Sequence, residues 1–180
     1  MERTVVGIDP SFTSTGIAII AEGEAPELVT IKSSGSRGDS YGVRSARTTK
    51  IANQVLSYIK ATDSLVVIEG PALRANDPGV WDRAGLWRDL YRRITELGVA
   101  VGVCPPKTRA KFGCGNGNAA KKEVRAGIQA LWPDVRIRND DVADGLVLGT
   151  MAAQLEGFEG IPVRGWHAEG LTKVALELAA

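Results

Sequence analysis

Four carboxylates in this 180-residue chain stand at positions from which they could share one task. Asp9 ends a short apolar run, Val5-Val6-Gly7-Ile8, and Glu69 ends another, Leu65-Val66-Val67-Ile68. Asp141 and Asp144 lie on a late segment where Asp141, Asp144, Leu148, Met151 and Leu155 are spaced 3, 4, 3 and 4 residues apart. On a helix these five share a stripe, so the two aspartates occupy the face that turns apolar and packs inward. A lone Asp at a strand end is ordinarily a turn or cap residue. Four together are different, because like charges raise each other's pKa and cannot all stay ionised without cations. Oxygen-only donors suit Mg²⁺ or Mn²⁺. Two such ions ~3.5–4 Å apart could generate an attacking hydroxide and stabilise a leaving oxygen in phosphoryl transfer. Lys121 would add positive charge near the scissile phosphate.

The elements that must hold these groups read as follows. Residues 4–9, 15–21 and 27–32 are three strands with short links, an antiparallel meander whose first pair forms a hairpin behind Asp9. Residues 43–60 carry Ile51, Val55 and Ile59 at helical spacing. The Leu65–Glu69 run is a strand buried on both faces. If it and the first strand are neighbours and parallel, Asp9 and Glu69 meet at one sheet edge. Residues 80–97 form a helix striped by Leu86, Leu90, Ile94 and Leu97. Trp81, Trp87 and Tyr91 widen its apolar face beyond one core contact and suggest a second packing partner such as another subunit. Residues 99–103 are a fifth strand, stopped by Pro105-Pro106. Residues 107–117 read as a basic, Gly-rich connection. A helix over 119–131 follows, capped by Gly117 or Asn118, with Lys121 and Lys122 in its first turn, where they oppose the helix dipole and ask for an anion such as phosphate. The last main helix covers 140–155, with Asp140 as N-cap, pointing about 100° away from Asp141.

Composition sets the outer bounds. Hydrophobic residues are 44% and charged residues 24%, ordinary for a globular domain. One domain is expected, with a core over about residues 1–156 and a tail over 157–180 that docks, joins an interface or stays mobile. No run approaches the roughly 20 apolar residues of a membrane span, and Met1-Glu2-Arg3-Thr4 enters a strand at once, so a cytoplasmic protein is the expectation. Cys104 and Cys114 have no histidine nearby; they read as inert thiols rather than a zinc site. The net charge is only +1, yet Arg88 to Arg125 holds nine basic and three acidic residues. Lys107, Arg109, Lys111, Lys121, Lys122 and Arg125 make that stretch a candidate DNA-tracking surface.

The order strand-Asp, hairpin, strand-Glu, then Asp-x-x-Asp on a late helix resembles the ribonuclease H-like fold. More narrowly it resembles the RuvC family of Holliday-junction resolvases. The matching stretches are Gly7-Ile8-Asp9-Pro10 with Gly16, Val67-Ile68-Glu69, Gly115-Asn116-Gly117-Asn118-Ala119-Ala120-Lys121 with Val124, and Asp141-Val142-Ala143-Asp144. They run in family order over most of residues 5–150. The resemblance implies an α/β fold with a mixed five-stranded sheet and helices on both faces. It implies a homodimeric, Mg²⁺-dependent endonuclease, with Mn²⁺ able to substitute and two ions per site. Such an enzyme makes paired symmetric nicks in four-way DNA junctions, leaving 5′-phosphate and 3′-hydroxyl ends. Asp9, Glu69, Asp141 and Asp144 would then be the metal ligands and Lys121 the basic helper.

Two departures stand out. The family often has a wedging aromatic after the strand-end glutamate; Gly70-Pro71-Ala72-Leu73 has none, which leaves Leu73 or Trp81 for that role. The family often has a histidine about two turns past the last aspartate; Ala152 lies there, and His167 is too distant to carry over. Other readings are a ribonuclease H-like nuclease for other branched, flapped or hybrid substrates, or a non-catalytic DNA-binding protein on the same fold. A sugar-kinase or actin-like ATPase needs a second domain that 180 residues do not accommodate.

Overall fold

The first apolar run becomes the centre of the sheet because it has partners on both sides and cover on both faces. In the computed structural model, which describes residues 3–71 and 79–177, β1 (Thr4–Asp9) pairs antiparallel with β2 (Ser14–Ala21) and parallel with β4 (Leu65–Glu69). β3 (Glu27–Lys32) extends the meander beyond β2, and β5 (Ala100–Cys104) lies parallel beyond β4. Side chains alternate between two cores, as a period of two requires. Val5, Leu65 and Val67 point into one, and Val6, Ile8, Val66 and Ile68 into the other.

One core is covered by α5 (Asp140–Leu155), flanked by α3 (Pro106–Cys114) and α4 (Lys121–Leu131). The other is covered by α1 (Tyr41–Leu56) and α2 (Val80–Glu96). α5 rests directly on strand backbone. A Cβ on Gly7 would lie 2.0 Å from the Gly149 amide nitrogen, and one on Gly16 would lie 1.9 Å from the Asp141 carbonyl oxygen. Any side chain at either position would push the helix off the sheet.

Several expectations need correction. The 107–117 connection is largely helix. Pro106 sits in the first turn of α3, where its missing N–H costs nothing, and Gly115 closes the helix with φ of 85°. α4 starts at Lys121 rather than 119. Its N-cap is Ala120, whose amide donates to Glu123 Oε2 at 2.6 Å, so neither Gly117 nor Asn118 caps it. Asn139 rather than Asp140 caps α5, its Oδ1 accepting from the Val142 amide at 3.0 Å. α1 stops at Leu56, four residues short of the expected end.

The tail docks. Gln154 and the Arg164 amide meet His167 Nδ1, which opens the short α6 (His167–Leu171). The His167 ring stacks on Phe112 at 3.6 Å, and Trp166 Nε1–H donates to the Phe112 carbonyl. β6 (Ala175–Glu177) then pairs antiparallel with β5, so the sheet has six strands, ordered β3-β2-β1-β4-β5-β6, not five. Among the described residues no helix is long and apolar enough to cross a membrane.

Candidate active site

Parallel pairing of β1 with β4, Ile8 opposite Ile68, brings Asp9 and Glu69 out side by side at the same sheet edge. α5 crosses this edge with its first turns over Gly16, which delivers Asp141 and Asp144. The stripe reading is correct for Asp144, which is 2% exposed. Asp141 is half-buried and accepts a hydrogen bond from Ser14 Oγ at 2.6 Å. Lys121 Nζ, from the first turn of α4, lies 3.8 Å from Asp141 Oδ1. The four carboxylates and Lys121 therefore gather as their spacing suggested.

Arg109 does not lie where it was expected. Placed on the candidate DNA-facing surface by sequence, it instead reaches into the carboxylates with only 11% of its side chain exposed. Its Nε–H donates to Glu69 Oε2 and its Nη1–H to Asp144 Oδ1. β5 runs parallel to β4, so the helix that follows Cys104 emerges at the same edge as Glu69, a placement that no local pattern in the sequence announces. Ser14 was likewise missed, since a serine at a hairpin reads only as a turn residue.

Burial pushes the Asp9 carboxyl well above its ordinary pKa, and the charges of Glu69 and Asp144 add to the rise against Arg109 and Lys121. None of the described residues donates a hydrogen bond to Asp9. Burial likewise raises Asp144, to about 6, with Arg109 pulling it down and Glu69 pushing it up. Burial opposes the charge on Arg109, but Glu69 and Asp144 outweigh it and its pKa moves up. Cys104, beneath the site, is pushed to about 12 by burial and then by Glu69, so this thiol stays protonated and inert.

The donor chemistry fits a hard divalent cation: oxygen ligands, a half-buried Asp9 that no described residue hydrogen-bonds, and four carboxylates against Arg109 and Lys121. In this arrangement, however, no three metal-ligating side chains among the described residues close on a single point. Arg109 bridges two of the four.

Around this centre the basic residues divide. Lys107, Lys121 and Lys122 are exposed. Lys111 is engaged with Glu169 of the docked tail at 2.7 Å. Arg125 donates to the Ile137 and Arg138 carbonyls and so braces the loop before α5. On the other side, a cleft of about 80 Å³ lined by Pro10, Gly70, Pro71, Arg83 and Trp87 opens onto Asp9 and Glu69. Trp87 and Tyr91 stack at 5.3 Å, and Trp87 Nε1–H donates to the Glu69 carbonyl, so these aromatics serve the sheet rather than a free surface. Trp81 alone of the three is open, at 85% exposure. Leu73 lies outside the described residues.

No family model matches the chain, and no curated protein matches it. Solved structures do. The sheet and its crossing helix have the fold of RuvC structures. The chain superposes on RuvC of Thermus thermophilus with a TM-score of 0.65 at 22% identity, covering 89% of this chain and 99% of that one. T. thermophilus RuvC in complex with Holliday junction substrate gives 0.63 at 23% identity, with the same coverage. At such identity the likeness is one of fold, and it matches the resemblance carried by the motifs.

Proposed function

We propose that this chain is a divalent-metal-dependent endonuclease that resolves four-way DNA junctions by paired symmetric nicks, working as an intracellular homodimer. The observation that carries this reading is the convergence of Asp9, Glu69, Asp141 and Asp144 at one edge of a RuvC-like sheet. One of the similar structures is described as a complex with Holliday junction substrate. Mg²⁺, or Mn²⁺ in its place, would be held by Asp9, Glu69, Asp141 and Asp144, and the family pattern implies two ions. The chemistry such an ion supplies is activation of water and neutralisation of the charge that develops on the phosphate.

The chain's own residues do the rest. β1 and β4 fix Asp9 and Glu69 relative to each other through the ladder. Ser14 orients Asp141, and Lys121 adds positive charge beside it. Lys107, Lys121 and Lys122 track the phosphate backbone and give binding that weakens with salt. Trp81, exposed at the start of α2, offers a flat apolar surface for an unpaired base. Two copies of the site related by a two-fold axis suit a substrate with two-fold symmetry.

The test is cleavage of a synthetic four-way junction with Mg²⁺, beside flapped and Y-shaped DNA, by wild type and Asp9→Asn. Wild type is expected to nick opposing strands symmetrically. Asp9→Asn should be slower by on the order of 10³-fold, as when a key electrostatic group is removed from a site. Equal cutting by the variant sinks the metal-site assignment, and preferential cutting of flaps replaces the junction by another branched substrate.

A further inference from the structure

We infer that Arg109 is a resident cation of this site, standing between Glu69 and Asp144 in place of one divalent ion, so that each protomer loads one Mg²⁺ or Mn²⁺ rather than two. The inference rests on the metal-dependent nuclease reading above and replaces by one the two ions that the family pattern implies.

Three observations carry it. The first is contact. One guanidinium joins carboxylates from two different elements, β4 and α5, using separate N–H groups of its fork. That bidentate, bridging geometry is what guanidinium does well and ammonium does poorly. The oxygens it engages, Glu69 Oε2 and Asp144 Oδ1, are among those a second ion would need at ~2.0–2.1 Å if it were Mg²⁺.

The second is permanence. A guanidinium does not lose its proton in a protein, so it cannot yield to a metal by deprotonating as a lysine could. To admit a second ion it would have to leave both carboxylates while still charged, which breaks two charge-assisted hydrogen bonds. Its helix is also held in place. Thr108, Ala110 and Phe112 are buried on either side of it, Gly115 closes the helix, and Trp166 of the tail bonds the Phe112 carbonyl.

The third is charge. Among Asp9, Glu69, Asp141, Asp144, Arg109 and Lys121, carboxylates outnumber cations by two. One divalent ion neutralises this excess. A second would leave a surplus positive charge before any phosphate enters. Asp9, which no described residue hydrogen-bonds, is the carboxylate left for the ion.

Ion counting decides the matter without reference to cleavage. Mn²⁺ is titrated into wild type, Arg109→Met and Arg109→Lys, and free Mn²⁺ is followed by electron paramagnetic resonance. The expected counts are one ion per protomer for wild type, two for Arg109→Met, and more than one for Arg109→Lys, whose ammonium bridges poorly and can give up its proton. Metal-free Arg109→Met should melt below wild type and gain more on Mn²⁺ addition, because the ion fills the place of the lost charge. Two ions in wild type, or one ion in both wild type and Arg109→Met, overturns the inference while leaving the metal reading intact. No bound Mn²⁺ in either overturns both. Should Arg109→Met fail to fold, the wild-type count still decides: one supports the inference and two defeats it.

Discussion

The two faces of the sheet are packed by opposite means. Against one, α5 lies backbone to backbone over Gly7 and Gly16, and every residue from Val142 to Ala153 is buried. Against the other, α1 and α2 stand off on side chains, with only Ile51, Ala52 and Val55 of the first and Leu86, Leu90 and Ile94 of the second fully inside. That second face also ends in open aromatics, Tyr41 at 92% exposure and Trp81 at 85%. The difference bears on the acidic edge. Direct backbone contact sets the height of Asp141 and Asp144 above Asp9 and Glu69 more rigidly than a layer of rotamers would.

The comparison can be broken most severely at Gly7. In Gly7→Ala the new Cβ meets the Gly149 backbone, which cannot swing aside. The loss should exceed the ~1–3 kcal/mol usual for overpacking, and urea unfolding followed by circular dichroism should find no cooperative transition. On the opposite face Leu90→Ala should cost roughly 2–5 kcal/mol in the same assay through a cavity. It should nevertheless leave Mn²⁺ binding at the acidic edge intact, because α5 does not rest on Leu90.

A pH titration sharpens the contrast at the corner where the tail joins the α5 face. Burial holds His167 at a pKa of about 4, below the ordinary value of 6.5. The unfolded chain therefore binds this proton first, and the stability that neutral His167 contributes is full above pH 6.5 and drains away as pH falls toward 4. The whole span is worth up to about 3 kcal/mol. His167→Phe keeps the stack on Phe112 but has no proton to bind, so wild type should lose stability relative to the variant as pH falls across this window, measured by denaturant. Parallel curves would show that the ring is not held neutral.

The smallest effect has the opposite sign. Gly85 lies inside α2, and a methyl group added there would meet nothing within 4 Å. Gly85→Ala should therefore stabilise by up to about 1 kcal/mol through helix propensity alone, read as a rise in Tm. Glycine to alanine is thus ruinous on one face and favourable on the other.

The strands were legible because their signals are local. β1 and β4 are unbroken apolar runs, and each ends in its carboxylate. The inward register of Asp144 was equally plain, since it depends only on spacing along one helix. What escaped were features decided by neighbours distant in sequence. Pro105-Pro106 reads as a stop, yet the second proline opens α3. Arg109 reads as a surface cation until the parallel placement of β5 carries it to Glu69. β6 has no strand signature in Ala175-Leu176-Glu177 and exists only because β5 offers it a ladder. Asn139 and Asp140 are both good caps, and their order along the chain alone does not say which is used. The close approach of α5 was foreshadowed only by glycines at Gly7 and Gly16, which the motif pattern had already marked.

The short sixth strand has a bearing on solubility. Without it β5, a run of small and apolar residues, would form the rim of the sheet and present unpaired N–H and C=O groups to any passing strand. β6 occupies that rim with three exposed residues, and its Glu177 accepts a hydrogen bond from the Tyr91 hydroxyl. The ordered tail is thus a guard against strand addition: shortened ahead of Ala175, the sheet would be left with a sticky border and a route to intermolecular β-aggregation.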